Sequence, residues 1–384
     1  MKRICCLLLS LILVGSLGTA AVRAEGEAYP GKAWCLMDGA TGTVLAASNE
    51  HEPLAPASVT KIMTLLLIME AIDTGHIKWT DTVTASESAA AKGGSQVYLK
   101  VGEAMTVEEM VKSIAVSSAN DCACAMAELL AGSESAFVDK MNARAAELGM
   151  KDTHFVNCTG LDDDPAAKDH KTSAYDIALM SRELLTRHPD IKKYTTIWMD
   201  TVRGGAFGLS NTNKLVRFYD GCTGLKTGFT SSAGYCLSAS AQRNGMELIA
   251  VVLGCSTSAD RFSACRGMLD YGFANYALYT PEVPSADPIP VTLGKQASVT
   301  ALPGEQVALL IPRGELSRMN IRVALPESLT APIHQGQVLG ELTVTKGEQT
   351  IATVPMVAQT AVARLTWKDL FLELLRMITG AANP

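Results

Sequence analysis

With 384 residues, 48% of them hydrophobic and 5% aromatic, and a net charge of −6, the chain is long enough for more than one domain and a large core. The acidic balance and the scarcity of aromatics exclude nucleic acid as a partner, which would need cationic surface and stacking platforms.

Lys2 and Arg3 precede a largely apolar run over residues 4–18, and small residues then offer cleavage after Ala24 or after Ala21. Residues 1–24 read as a secretory signal. A signal anchor is the alternative, although the run is short for a membrane span. Cys5 and Cys6 precede the end of the apolar run, the wrong place for a lipoprotein cysteine. The mature chain is expected at the outer face of the cytoplasmic membrane or in the wall space. It keeps Cys35, Cys122, Cys124, Cys158, Cys222, Cys236, Cys255 and Cys265, an even count that an exported chain could bridge. None of the spacings is C-x-x-C and so long a chain needs no staples, so buried free thiols are expected ahead of disulfides. Only His154 and His170 flank a mature cysteine closely, which argues against zinc.

In chain order, residues 34–38 and 43–48 are strand-like and joined across Gly39 and Gly42. Residues 58–73 read as a helix apolar almost all round, which must be buried. Thr106 and Glu109 form a capping-box signature ahead of the apolar face of Val107, Met110, Val111 and Ile114. Helices are expected from Asn120 to Gly132, from Ser133 to Gly149 and over 173–187. Strands return over 221–230, 235–242 and 246–254, the last two joined by Asn244-Gly245, a strong hairpin signal. A helix follows over 259–276. Helices between two groups of strands predict an antiparallel sheet with helices packed on it. Pro281, Pro284, Pro288 and Pro290 then mark a linker, and short alternating strands over 291–361 read as a separate β domain.

Three short motifs run through this frame. The first is Ser58-Val59-Thr60-Lys61. Residues three apart share a helix face, so the Lys61 amine can reach the Ser58 hydroxyl. A serine hydroxyl becomes a nucleophile when a base takes its proton. Lysine is a base only as the neutral amine, so its pKa must fall well below about 10.4, as burial beside another cation would cause. By itself S-x-x-K is a common chance match. The second motif, Ser118-Ala119-Asn120, falls at the break between two predicted helices. Its hydroxyl and amide suit a proton relay and a grip on a peptide, but both residues are equally usual N-caps. The third, Lys226-Thr227-Gly228, lies on a predicted strand. A cation in an otherwise uncharged strand asks for a partner, such as a substrate carboxylate; an edge lysine that deters aggregation is the other reading. Gly228 would let a ligand approach the strand closely.

In this order and spacing the motifs resemble those of the penicillin-recognising serine enzymes, in particular the low-molecular-mass D-alanyl-D-alanine carboxypeptidases. Segments 56–64, 157–162, 172–180 and 220–235 look like that family's own, and the likeness covers residues 34–276. It implies an α+β fold: a β-lactamase/DD-peptidase-like antiparallel sheet with a helical cluster, a small all-β domain and a terminal amphipathic helix. The corresponding divisions are 1–24, 25–279, 280–364 and 365–384. The resemblance implies Ser58 as nucleophile, Lys61 as general base, Ser118 as proton shuttle to the leaving amine and Asn120 as holder of the peptide. Lys226 and Thr227, beside Gly228, would bind the terminal carboxylate, and the N–H groups of Ser58 and Phe229 would form the oxyanion hole. Arg261 matches a family arginine at that carboxylate, although a plain surface arginine is the alternative. Ala119 stands where the family often has glycine, Phe229 where a polar residue is frequent, and Cys222 just before the third motif.

The implied reaction removes the terminal D-alanine from peptidoglycan stem peptides through an acyl-enzyme on Ser58. It would limit the pentapeptide donors available for wall cross-linking. β-Lactams would acylate the same serine, and no metal or cofactor is implied. A class A β-lactamase would need a glutamate after the second motif, and residues 155–162 hold no E-x-x-x-N pattern. A DD-endopeptidase shares the motifs and stays open. A catalytically silent wall-binding protein is disfavoured by the intact Ser58, Lys61 and Lys226. The run Asp162-Asp163-Asp164 reads as a solvated loop rather than a cation site.

At the C-terminus Trp367, Leu370, Phe371, Leu374, Leu375 and Ile378 recur at helical spacing, with Met377 widening the stripe. Lys368, Asp369, Glu373, Arg376 and Thr379 fall opposite, and Leu372 is the exception. The segment is shorter than the about twenty residues a spanning helix needs. It is expected to lie in the membrane surface with Trp367 at headgroup level; a helix docked on the β domain is the alternative.

Overall fold

Strand-forming runs from both ends of the first 272 residues meet in one sheet. The computed structural model describes residues 29–379 apart from 283–286 and 306–307, so the signal reading of 1–24 and Pro284 lie outside the described residues. Strands β1 (Ala33–Asp38) and β2 (Val44–Ser48) form a hairpin. They are joined in the sheet by β3 (Cys222–Thr230), β4 (Gly234–Arg243) and β5 (Met246–Cys255), in the order β2-β1-β5-β4-β3. β1 runs antiparallel to both neighbours, with Cys35 opposite Ala47 on one side and Val251 on the other. All of β1 and nearly all of β5 is buried, which is why both read as continuous apolar runs rather than alternating ones. Asn244 and Gly245 have φ of 49° and 79°, the backbone that a tight two-residue hairpin requires.

Helix α1 (Lys61–Asp73) buries Ile62, Met63, Leu65, Leu66, Ile68 and Met69, as its all-round apolar sequence demands. The Thr106–Glu109 capping box is formed in both directions and starts α2 (Val107–Ser117). α3 (Asn120–Ala131), α4 (Glu134–Glu147), α5 (Ala174–Arg187) and α6 (Ser258–Asn275) follow. Ser133 and Ser173 cap α4 and α5 by accepting the N–H of Ala136 and Asp176.

Two features differ from the sequence reading. The segment expected to be helical from Ser58 begins as a 3₁₀ turn, Ala57–Thr60, and becomes α only at Lys61. A 3₁₀ turn eclipses positions three apart, so it aligns Ser58 with Lys61 more directly than an α turn would. The small strand pairs Thr82–Thr84/Ala104–Thr106 and Met199–Val202/Phe207–Ser210 were not expected. Strands of three or four residues are too short to display an alternation.

The main division of the chain falls between Gly272 and Phe273. Strand Tyr276–Tyr279, ahead of the proline-rich stretch, pairs with Leu309–Pro312 and so belongs to the second unit. Four strands there form a sheet in which Gln349–Ala358 lies between Ala301–Pro303 and Val338–Lys346, with Met319–Ala324 at the far edge. Its core includes Val291, Ile333, Leu342, Val344, Val354 and Met356. Thr366 caps the terminal helix α7 (Trp367–Thr379), accepting the Asp369 N–H at 3.3 Å while Asp369 accepts the Thr366 N–H at 2.8 Å.

Candidate active site

The 3₁₀ turn at Ala57–Thr60 is held from three sides. Gly160, at φ +79°, lies so close to the Ala57 carbonyl that an added Cβ would stand 1.9 Å from its oxygen. Gly228 of β3 packs on the other flank, where a Cβ would meet the Pro56 oxygen at 2.6 Å and the Ser58 nitrogen at 3.1 Å. Gly228, read from the sequence as admitting a ligand, admits the turn that carries Ser58. The third support is the buried Thr60 hydroxyl, which donates to the Ala57 carbonyl at 2.8 Å and contacts His170 Nε2 at 2.7 Å. His170 Nδ1 accepts the Val156 N–H, which leaves the ring proton on Nε2 to meet Thr60. Burial pushes His170 down to about 4, so the ring is neutral.

Lys61 Nζ donates to Ser58 Oγ at 2.9 Å and to the Thr159 carbonyl at 2.8 Å. The side chain is fully buried, and burial lowers its pKa to about 7 against the opposing pull of Cys158 and Asp121. A large share of Lys61 is thus the free amine near neutral pH. Ser118 ends α2 in the left-handed region, φ 63°, and Asn120 opens α3. Asn120 Nδ2 donates to the Gly93 carbonyl and its N–H to that of Ser95, both at 2.7 Å. Ser118 Oγ and Asn120 Oδ1 are buried without a hydrogen-bond partner among the described residues. Buried polar atoms are normally paired, so each of these two calls for a partner, water or ligand.

The third motif reaches the other two. Gly228 lies on the Ser58 turn, and Thr227 Oγ1 donates at 2.7 Å to Thr212, whose N–H is bonded to Val116 in the last turn of α2. Lys226 is 1% exposed and donates to the Thr227 carbonyl. Burial, then the like charges of Lys61 and Arg261, pushes it well below the ordinary lysine range. Its charged form is disfavoured as the site stands, and an anion bound beside it would offset that cost. Phe229, half-exposed, stacks on Tyr235 at 4.3 Å. Arg261, which had no evident partner in the sequence, donates to the Gly228 carbonyl at 2.8 Å and lies over the Tyr235 ring. Its Nε has no partner among the described residues.

The Thr159 and Gly93 carbonyls and the His170–Thr60 contact were missed from the sequence, because a backbone acceptor leaves no trace in residue type. Cys222 donates to the Gly224 carbonyl, and burial pushes its thiol up to about 11, so it is no rival nucleophile. All eight described cysteines are free and seven are buried.

These three motifs, joined through one strand, invite comparison with known proteins. The D-alanyl-D-alanine carboxypeptidase family model matches residues 20–257, and that of the penicillin-binding protein 5 C-terminal domain matches 283–364. The chain belongs to the D-alanyl-D-alanine carboxypeptidase family. It is 42% identical over 365 residues to the D-alanyl-D-alanine carboxypeptidase DacF of Bacillus subtilis, covering 92% of each chain. The structure of penicillin-binding protein 5 from Haemophilus influenzae matches with a TM-score of 0.72 at 30% identity, over 88% of this chain and 99% of that one. Penicillin-binding protein D2 from Listeria monocytogenes in its ampicillin-bound form matches with a TM-score of 0.58 at 30% identity, over 64% of this chain and 98% of that one. The family's fold is the one expected: an antiparallel sheet with packed helices, followed by an all-β domain.

Proposed function

We propose that the protein is an exported serine-type D-alanyl-D-alanine carboxypeptidase that trims peptidoglycan stem peptides and is acylated by β-lactams. The observation that carries this is the Lys61 amine, lowered to about 7 and 2.9 Å from Ser58 Oγ. Ser58 Oγ attacks the carbonyl carbon of the penultimate D-alanine as Lys61 takes its proton. The N–H groups of Ser58 and Phe229 bind the oxyanion. Collapse of the tetrahedral centre breaks the C–N bond, and the proton passes through Ser118 to the leaving D-alanine amine. Water then attacks the ester, and Ser58 recovers its proton. Asn120 holds the peptide amide, and Lys226 and Thr227 take the terminal carboxylate with Arg261 adding positive charge. No cofactor enters these steps.

The same reading has residues 1–24 removed on export, catalysis carried by the unit that ends at Gly272, a β module from there to 364 and a membrane-surface helix over 365–384. The last is supported by the exposure of Trp367 (85%) and Ile378 (74%), with Leu370, Phe371 and Leu375 exposed between them. Leu372, the exception in the sequence pattern, is exposed too. The side chains of Leu374, Met377, Glu373, Arg376 and Thr379, and residues 380–384, lie outside the described residues. Among those described, no helix is long and apolar enough to cross a membrane. Work at the outer face of the cytoplasmic membrane would lower the supply of pentapeptide donors for cross-linking.

Incubation with a pentapeptide ending in D-alanyl-D-alanine, and chromatography of the products, tests this activity. One D-alanine released per peptide, abolished in Ser58→Ala, is expected. No D-alanine from the pentapeptide, with cleavage of a cross-linked muropeptide dimer incubated in parallel, would instead make the protein an endopeptidase.

A further inference from the structure

The Lys61 and Asn120 side chains are each fixed by a single main-chain carbonyl, of Thr159 and of Gly93. Neither carbonyl belongs to a regular element: Gly93 follows a one-turn helix, Glu87–Ala90, and Thr159 lies on the loop after α4. What joins the two segments is one carboxylate. Glu134, in the first turn of α4, bonds Lys92 through Oε2. Through Oε1 it accepts both the N–H and the thiol of Cys158 at 3.2 Å. Lys92 and Cys158 are the immediate neighbours of Gly93 and Thr159.

We infer that the Lys92–Glu134 ion pair is a positioning device that sets the Gly93 and Thr159 carbonyls, and through them Asn120 and Lys61, as one unit. Both side chains are about four-fifths buried, 23% and 19% exposed, so the pair is shielded from solvent. Burial works against each charge, yet the pairing outweighs it: Lys92 is raised and Glu134 is lowered. Asn157 stiffens the same loop, its Oδ1 accepting the N–H groups of Thr159 and Gly160. The Thr64 hydroxyl, donating to the Cys158 carbonyl at 2.7 Å, ties that loop to α1. The Gly93 segment meets the Thr159 loop through this ion pair and through Leu161 beside Gly94, and the ion pair is the polar link of the two. The chemistry requires these acceptors to be placed within about half an ångström, which loops alone do not guarantee.

The inference rests on the roles proposed for Lys61 and Asn120, so its test is read on enzyme already known to acylate at Ser58. Second-order acylation by a fluorescent penicillin is measured for Lys92→Met, Glu134→Gln, the double variant and Lys92→Arg. Each rate is normalised to titrated active sites, which removes any misfolded fraction. Each single break is expected to slow acylation about tenfold, and the double variant to be no slower than the slower single, because one interaction is lost only once. Lys92→Arg, which keeps the pair, should stay within about twofold of the parent. Losses that multiply in the double variant would overturn the inference. So would Lys92→Arg as slow as Lys92→Met, or single variants as fast as the parent per active site. If the parent does not acylate at Ser58, it is the catalytic reading that fails.

Discussion

Gly228 and Ser58 are packed without room for a methyl group: a Cβ on Gly228 would lie 3.1 Å from the Ser58 nitrogen and 2.6 Å from the Pro56 oxygen. The strand that carries Lys226 and Phe229 and the turn that carries the nucleophile therefore share one position. Gly228→Ala must push β3 away from the turn and with it the Phe229 N–H, one of the two donors proposed for the oxyanion. Acylation by penicillin should fall about a hundredfold, the usual cost of one such donor. The melting temperature should drop by an amount equivalent to about 1–3 kcal/mol of overpacking. A variant destabilised to that extent but acylated at the parent rate would show that this contact is only structural.

Lys61 gives the pH dependence a definite sign. As the proposed base it acts through its free amine, and its pKa falls from 10.5 to about 7, so acylation should rise with pH through a limb centred near 7. In the unfolded chain the same lysine holds its proton up to its ordinary value. Between about 7 and 10.5 the unfolded state therefore carries the extra proton, and the Lys61 contribution to stability grows as pH rises. Lys61→Met should remove both the limb and that slope. A limb of unchanged position in Lys61→Met would assign the titration to another group.

Most of this site could be read from residue types, because each motif couples a reactive side chain to a spacing. Ser58 and Lys61 stand three apart, and the Asn244-Gly245 turn and the Thr106–Glu109 capping box carry equally local signals. What stayed hidden is non-local or made of backbone. The left-handed Ala57, φ 49°, which sets the 3₁₀ turn, has no mark in composition. The packing of Gly228 on the turn was hidden because the sequence does not say that Pro56 lies opposite it. A plain surface arginine stayed an alternative for Arg261 because its partners are the carbonyls of Gly228 and Cys236. Nor could the proline cluster show that Tyr276–Tyr279 pairs with Leu309–Pro312.

Arg261 props the Gly228 carbonyl, and the proposed function gives it a second role as a charge for the substrate carboxylate. Arg261→Ala should lower kcat/KM about tenfold more for a peptide with a free terminal carboxylate than for its amidated analogue, the scale of one charge-assisted contact. Equal losses on both substrates would leave only the prop.

The exposed face of α7 sets up a fractionation test. Full-length protein should sediment with membranes, remain there in high salt and leave in detergent, since apolar burial rather than charge would hold it. Truncation after Arg364 should move the enzyme to the soluble fraction with its penicillin acylation unchanged. A truncated protein that unfolds, or a full-length one that is soluble without detergent, would point to a docked helix instead.

The most direct measurement is the mass of the intact protein after brief exposure to benzylpenicillin, followed by peptide mapping of the adduct. One penicilloyl group on Ser58 is expected, with none on a folded Ser58→Ala variant. An adduct on Ser118 or any other residue in that variant would contradict the assignment of Ser58 as the nucleophile.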